Sequence, residues 1–171
     1  WSARKRVKTY MGTAIHELLD NAQPDVIVGE NLNFSNSSKK LSRKVKRYFA
    51  SWLKGQLQLI ITLRCQRSGA AFVPLNAAYT SQVCSWCGAF GIRSRDIFYC
   101  SNCNRVVDAD YNGARNVLQR YDDPDIGLFT PAKVVKCILE ERFRTGETVH
   151  PGPEILVYPG ANDQLCTALS T

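Results

Sequence analysis

Cys84-Ser-Trp-Cys87 and Cys100-Ser-Asn-Cys103 form two C-x-x-C knuckles separated by twelve residues. Four thiolates at this spacing can close one tetrahedral site, and Zn²⁺ fills such a site without redox chemistry. Sulfur takes every position, leaving none for water, so the zinc expected on Cys84, Cys87, Cys100 and Cys103 is structural. A segment this short cannot bury a core, and the metal supplies its folding energy. Gly88 follows the first knuckle, where a tight turn is expected. Seven cysteines, four of them paired by spacing, suit metal binding in a reducing compartment better than a disulfide framework. Cys65, Cys137 and Cys166 stand apart and read as packing residues.

Around the knuckles the chain alternates helix and strand. Residues 3–22 place Val7, Met11, Ala14, Ile15, Leu18, Leu19 and Ala22 at helical spacing, and Pro24 marks the end. "DVIVGENLNF" reads as a short buried strand broken by Gly29. From Leu41 a long helix carries Leu41, Val45, Tyr48, Trp52, Leu59 and Leu63 on one face and ends near Ser68-Gly69. "AAFVPLNAAY" is a second strand, shortened by Pro74. Residues 79–106 show no helical period. A helix resumes near Asp108 and runs to about Tyr121. Thr130-Pro131 then looks like an N-cap and first helical position, opening a helix to about Arg144. The last 25 residues read as irregular. Helix, strand, helix, strand, helix with short links is an α/β layer arrangement.

Charge divides the chain unevenly. Residues 1–121 hold 18 Lys+Arg against 7 Asp+Glu, net +11, whereas residues 122–171 hold 4 against 8, net −4. A basic segment of this size is a plausible polyanion surface, and equally a solvated face. Within it "KKLSRKVKR" puts Lys39, Lys40, Arg43, Lys44, Lys46 and Arg47 into nine residues. They suit contact with phosphates, or a solvated helix face whose other side packs. Arg93, Arg95 and Arg105 lie among Trp86, Phe90, Phe98 and Tyr99. These can contact nucleic acid by charge and stacking, or cover the zinc. No apolar run approaches the roughly 18 residues of a membrane span, and nothing resembles a signal peptide. The chain starts at Trp1, which suggests a piece of a longer polypeptide.

Two acids stand out. Ala114, Val117, Leu118 and Tyr121 follow Asp110 at helical spacing, so Asp110 heads the expected buried stripe, while Asp108 suits an N-cap. A first-turn acid favoured by the helix dipole is the plainer account of Asp110. Glu30 ends an apolar strand, either as its exposed end or as a metal ligand. Two such acids could hold Mg²⁺ between them, and paired Mg²⁺ ions serve phosphodiester hydrolysis.

"GEN" at the end of a strand, "YTSQVCSWCG", a second C-x-x-C and then "DADYNGARNV" resemble the C-terminal half of the RuvC-like nuclease domain of TnpB proteins. Those are transposon-encoded RNA-guided endonucleases related to type V CRISPR effectors, and the likeness covers roughly residues 1–121. It implies an α/β, RNase H-like (RuvC) partial domain with an inserted four-cysteine zinc ribbon and a C-terminal helical and irregular tail. The implied organisation is 1–78 nuclease core, 79–107 zinc ribbon, 108–121 last catalytic helix and 122–171 acidic extension. Glu30 and Asp110 are implied as the second and third catalytic, Mg²⁺-binding carboxylates. Asn112 and Asn116 match family positions without a role of their own. The first catalytic Asp of the family has no counterpart here. The N-terminal part of the same protein, or a partner chain, is expected to supply it. Guide RNA and target DNA are the implied partners and the prokaryotic cytoplasm, at the nucleoid, the implied location. The activity expected is that of an RNA-guided, Mg²⁺-dependent DNA endonuclease. A cleavage-dead RNA-guided DNA-binding protein and an unguided zinc-ribbon nucleic-acid-binding module are the alternatives.

Overall fold

A computed structural model describes residues 3–31 and 43–147, with side chains over 5–31 and 55–147. It is a mixed α/β chain that divides into two compact units at Pro74–Leu75. Among the described residues no helix is long and apolar enough to cross a membrane.

The first unit holds helix α1 (Ala3–Ala22), strand β1 (Val26–Glu30), helix α2 (Arg43–Ser68) and strand β2 (Ala71–Leu75). β1 and β2 pair as a two-stranded sheet. Helix α1 stops where expected: Gln23 turns left-handed, its N–H bonding Leu19 O at 2.9 Å, and Pro24 follows. The core is Leu19, Cys65 and Ala70, packed by Ile15, Ile27, Ile61 and Phe72. Gly29 breaks the apolar run for a packing reason, since a Cβ there would sit 2.9 Å from the Phe72 ring.

The expected apolar stripes are rotated in this unit. Val7, Leu18, Leu59 and Leu63 are exposed, and the inward rows run through Gly12, Ile15 and Leu19 on α1 and through Ile61 and Cys65 on α2. Two short strands cover a narrow strip of each helix, so only part of the apolar face is buried. Cys65 is a packing residue, its thiol pKa raised by burial. Cys137 is exposed, contrary to the same expectation, and Cys166 lies outside the described residues.

The second unit holds three strands that the sequence did not announce: β3 (Ile92–Ser94), β4 (Ile97–Cys100) and β5 (Arg105–Asp108). They form an antiparallel sheet in the order β3-β4-β5, with Arg93 opposite Phe98 and Phe98 opposite Val107. Strands of three or four residues are too short for an alternation to register. Helix α3 (Ala109–Gln119) follows β5 directly, and helix α4 (Ala132–Thr145) closes the described chain. Pro131 is the cap position of α4 and no side chain caps it, so Thr130 is not the N-cap the sequence suggests. Helix α4 packs through Val135, Ile138 and Leu139 against Val83, Tyr79, Phe90 and Ile126. Val134, on the same helix, is exposed.

Candidate metal centre and the helix it anchors

The sulfurs of Cys84, Cys87, Cys100 and Cys103 all lie within 4.8 Å of one another. Cys84 and Cys103 are 3.7 Å apart and Cys87 and Cys100 are 3.5 Å apart. A tetrahedron of Zn–S bonds near 2.3 Å has edges of about 3.8 Å, which these two pairs approach. Disulfide sulfurs would be far closer.

Each knuckle closes with a left-handed residue, Gly88 (φ 74°) after the first and Asn104 (φ 55°) after the second. Asn is the side chain that tolerates this conformation best, which explains why one knuckle needs no glycine. The turn expected at Gly88 is present, with its N–H bonding Cys84 O at 2.9 Å. Backbone amides of Trp86 and Cys87 aim at the Cys84 sulfur, that of Ala89 at Cys87 and that of Arg105 at Cys103. Burial pushes the Cys84 thiol up to about 12, against those amides. Burial also acts on Cys87, but the Ala89 amide, the Asn102 side chain and the neighbouring Cys100 and Cys103 thiols together outweigh it and bring the thiol down to about 7. A cage primed with one acidic thiol and amide donors suits a dication that displaces the remaining protons. These four cysteines could hold a metal such as zinc.

Helix α3 is fixed to this cage at its head and along its inner face. Asp108 caps it as expected, its Oδ1 accepting the N–H groups of Asp110 (2.9 Å) and Tyr111 (2.8 Å). The inner face differs from the expected stripe. Ala109, Asn112, Gly113, Asn116 and Val117 are the buried positions, whereas Asp110 and Ala114 point outward. Asn112 accepts from Ser85 N at 3.0 Å and donates to Val83 O at 2.8 Å. Asn116 Nδ2 donates to Thr80 O and Val83 O, both at 2.7 Å. Arg120, on the next turn, donates to Asn76 O (2.6 Å) and Ala78 O (2.8 Å). Gln119 reaches Ser85 O at 2.9 Å. The stretch leading into the first knuckle is irregular backbone, and this amide and guanidinium ladder satisfies it. Sequence reasoning missed the ladder because buried polar residues break an apolar count. The available signal was Asn112, Asn116 and Arg120 at i, i+4 and i+8.

Asp110 therefore reaches solvent rather than the core. Its carboxylate is 82 % exposed and pairs with Arg93 at 2.7 Å. Arg93 also donates to Arg95 O at 3.1 Å, across a turn where Arg95 is left-handed (φ 54°). Arg105 stacks over Trp86, its guanidinium 5.0 Å from the ring centre. Glu30 is half-buried at the end of β1, in the first unit. Lys39 and Lys40 lie outside the described residues, as do the side chains of Arg43, Lys44, Lys46 and Arg47.

Arg142 of α4 grips the turn after α3. It donates to Asp123 twice (2.6 and 2.8 Å) and to Asp125 (2.6 Å). Asp123 also accepts from the N–H groups of Asp125 and Ile126, both at 3.0 Å. Burial pushes the Asp123 carboxyl up, but Arg142 and these amides outweigh it and hold it below the ordinary value of 3.8.

Fold and site together define a mixed α/β protein whose four-cysteine, metal-type ribbon is clamped to the helix that follows it. Residues 55–117 match the family model of the Cas12f1-like TNB domain. Over 74 residues the chain is 35 % identical to the CRISPR-associated endodeoxyribonuclease Cas12f1 of Sulfoacidibacillus thermotolerans, covering 42 % of this chain and 18 % of that protein. Over 96 residues it is 30 % identical to a TnpB-like protein of Aquifex aeolicus (strain VF5), covering 53 % of this chain and 31 % of that one. The fold is similar to that in the cryo-EM structure of a Cas12f1–sgRNA–target DNA complex, with TM-score 0.51 and 23 % identity over 72 % of this chain and 34 % of that one. The resemblance to TnpB and type V effectors therefore holds, and the chain spans less than a third of the length of these two curated relatives.

Proposed function

We propose that the chain is the C-terminal nuclease portion of an RNA-guided, Mg²⁺-dependent DNA endonuclease, with a RuvC-like, RNase H-type core and a structural zinc ribbon. The observation that carries this reading is Asp110. It stands in the first turn of a helix fixed on three sides by cap, cysteine ribbon and polar ladder, and its carboxylate faces solvent. A rigidly placed, accessible acid in a segment similar to Cas12f1 is what metal-dependent phosphodiester chemistry requires.

In this reading Glu30 and Asp110 offer hard oxygen donors of the kind Mg²⁺ prefers, and a third acid comes from elsewhere in the protein or from a partner. When bound, Mg²⁺ supplies Lewis-acid stabilisation of the reacting phosphate oxygens. This chain's residues hold and orient: Asp108 fixes the first turn, and Arg93 pairs with the Asp110 carboxylate that would hold the metal. Guide RNA and target DNA are the partners, met along the basic run at Lys39–Arg47 and along Arg93, Arg95 and Arg105. The working organisation is core 1–78, ribbon 79–107, catalytic helix 108–121 and extension 122–171, in the prokaryotic cytoplasm at the nucleoid.

The Arg93–Asp110 pair equally favours a cleavage-dead, guide-directed binding protein, because it leaves the acid already neutralised. One experiment separates the two. Full-length protein carrying its guide should cut target DNA only with Mg²⁺, and Asp110→Ala should abolish cutting while guide-directed binding persists. Cutting that survives Asp110→Ala sinks the assignment, and a wild-type protein that binds without cutting establishes the second reading.

A further inference from the structure

Trp86 lies between the cysteines of the first knuckle, and two guanidiniums sit on it. Arg115 is 4.6 Å and Arg105 5.0 Å from the ring centre. Tyr111 completes the group, its ring 6.1 Å from Trp86 and 6.0 Å from the Arg115 guanidinium. Arg93, Arg142 and Arg144 each pair with a carboxylate, but among the described residues Arg105 and Arg115 pair with none. Arg115 Nε is buried without a hydrogen-bond partner.

Two like charges on one indole repel each other, and no ion pair relieves either of them. Cation–π contact engages the flat face of a guanidinium and leaves its N–H donors directed outward in the plane. That fork matches the spacing of phosphate oxygens. The group is also held stiffly: the Trp86 amide aims at the Cys84 sulfur and the Arg105 amide at the Cys103 sulfur. The metal cage thus sets the backbone positions of both Trp86 and Arg105.

We infer that Trp86, Arg105 and Arg115 form a phosphate grip for a nucleic-acid backbone, in which the indole orients two arginines rather than stacking on a base. The grip rests on the nucleic-acid reading above and adds its chemistry: it binds phosphodiester groups, without base selectivity. Arg115, which sequence reasoning overlooked, is half-buried with its Nε enclosed.

The test is the salt dependence of binding to two labelled single strands of equal length, one an ordinary oligonucleotide and one an abasic sugar-phosphate strand. Each lost phosphate contact lowers the slope of log K against log salt by about 0.7. Arg115→Ala and Arg105→Ala should each lower it by about that much, the double variant by about 1.4, and equally on both strands. Zinc content, measured alongside, should stay unchanged, and the exposed Arg105 gives a variant that folds even if Arg115→Ala does not. Slopes that stay at the wild-type value, or a loss confined to the strand with bases, overturn the grip while the nucleic-acid reading stands. A wild-type chain that binds neither strand overturns both.

Discussion

In the first unit the buried side chains are Leu19, Cys65 and Ala70, and stability comes from apolar packing of two helices on a two-stranded sheet. In the second unit the fully buried positions include Asn112, Thr80, Ser85 and two cysteines, with Phe98 and Val135 the large apolar exceptions. The first unit is held by area removed from water alone, whereas the second adds a hydrogen-bond ladder and a cage of sulfur to its own apolar clusters. The difference bears on function. An apolar interface can slide and repack at small cost, whereas a satisfied polar ladder fixes one register. The helix carrying Asp110 is mounted on the second kind of support.

Two truncations should break the comparison most visibly. Leu19→Ala removes packing from the first unit and should cost about 2–4 kcal/mol there without affecting metal retention. Asn112→Ala strands the Ser85 N–H, at about 1–3 kcal/mol, while Asn116 still reaches the Val83 carbonyl. Its loss should appear together with weaker zinc binding, because Ser85 follows Cys84 directly. Denaturant titration with zinc release as a second probe tells them apart. Equal zinc release from both variants would mean the units do not differ as described.

A smaller effect is expected from acid. The Asp123 carboxyl titrates below its ordinary value in the folded chain, so its contribution is complete above the unfolded value near 3.8 and is lost as pH falls through the lower folded value. Helix α4, held by the Asp123–Arg142 contacts, should loosen in that window, and Asp123→Asn should remove the dependence. Thermal melts across that range check it. The smallest effect belongs to Leu63→Gln on the exposed face of α2, within about 0.5 kcal/mol of wild type.

The elements of the first unit were legible because their signals are long. A 20-residue helix and a β-branched run ending at Gly29 outweigh local noise, and Pro24 and Gly69 mark two of the ends. Which residues face inward was not legible, since an apolar stripe wider than its cover leaves the rotation to the partner elements. The knuckles and the Asp108 cap were legible because both rest on fixed spacings. The face of α3 was misread for the same reason the ladder was missed: counting apolar residues assigns Asn112 and Asn116 to solvent, whereas the irregular 76–85 backbone needs them inside. Arg115 escaped notice because its partner, Trp86, is 29 residues away in sequence and adjacent only once the ribbon has folded.

Amide hydrogen exchange of the zinc-loaded chain before and after chelation tests the metal-anchored helix most directly. The amides of Ala109–Gln119 should lose protection together with the β3-β4-β5 sheet when the metal is removed, while those of α1 keep theirs. Full protection of α3 in the metal-free chain would contradict it.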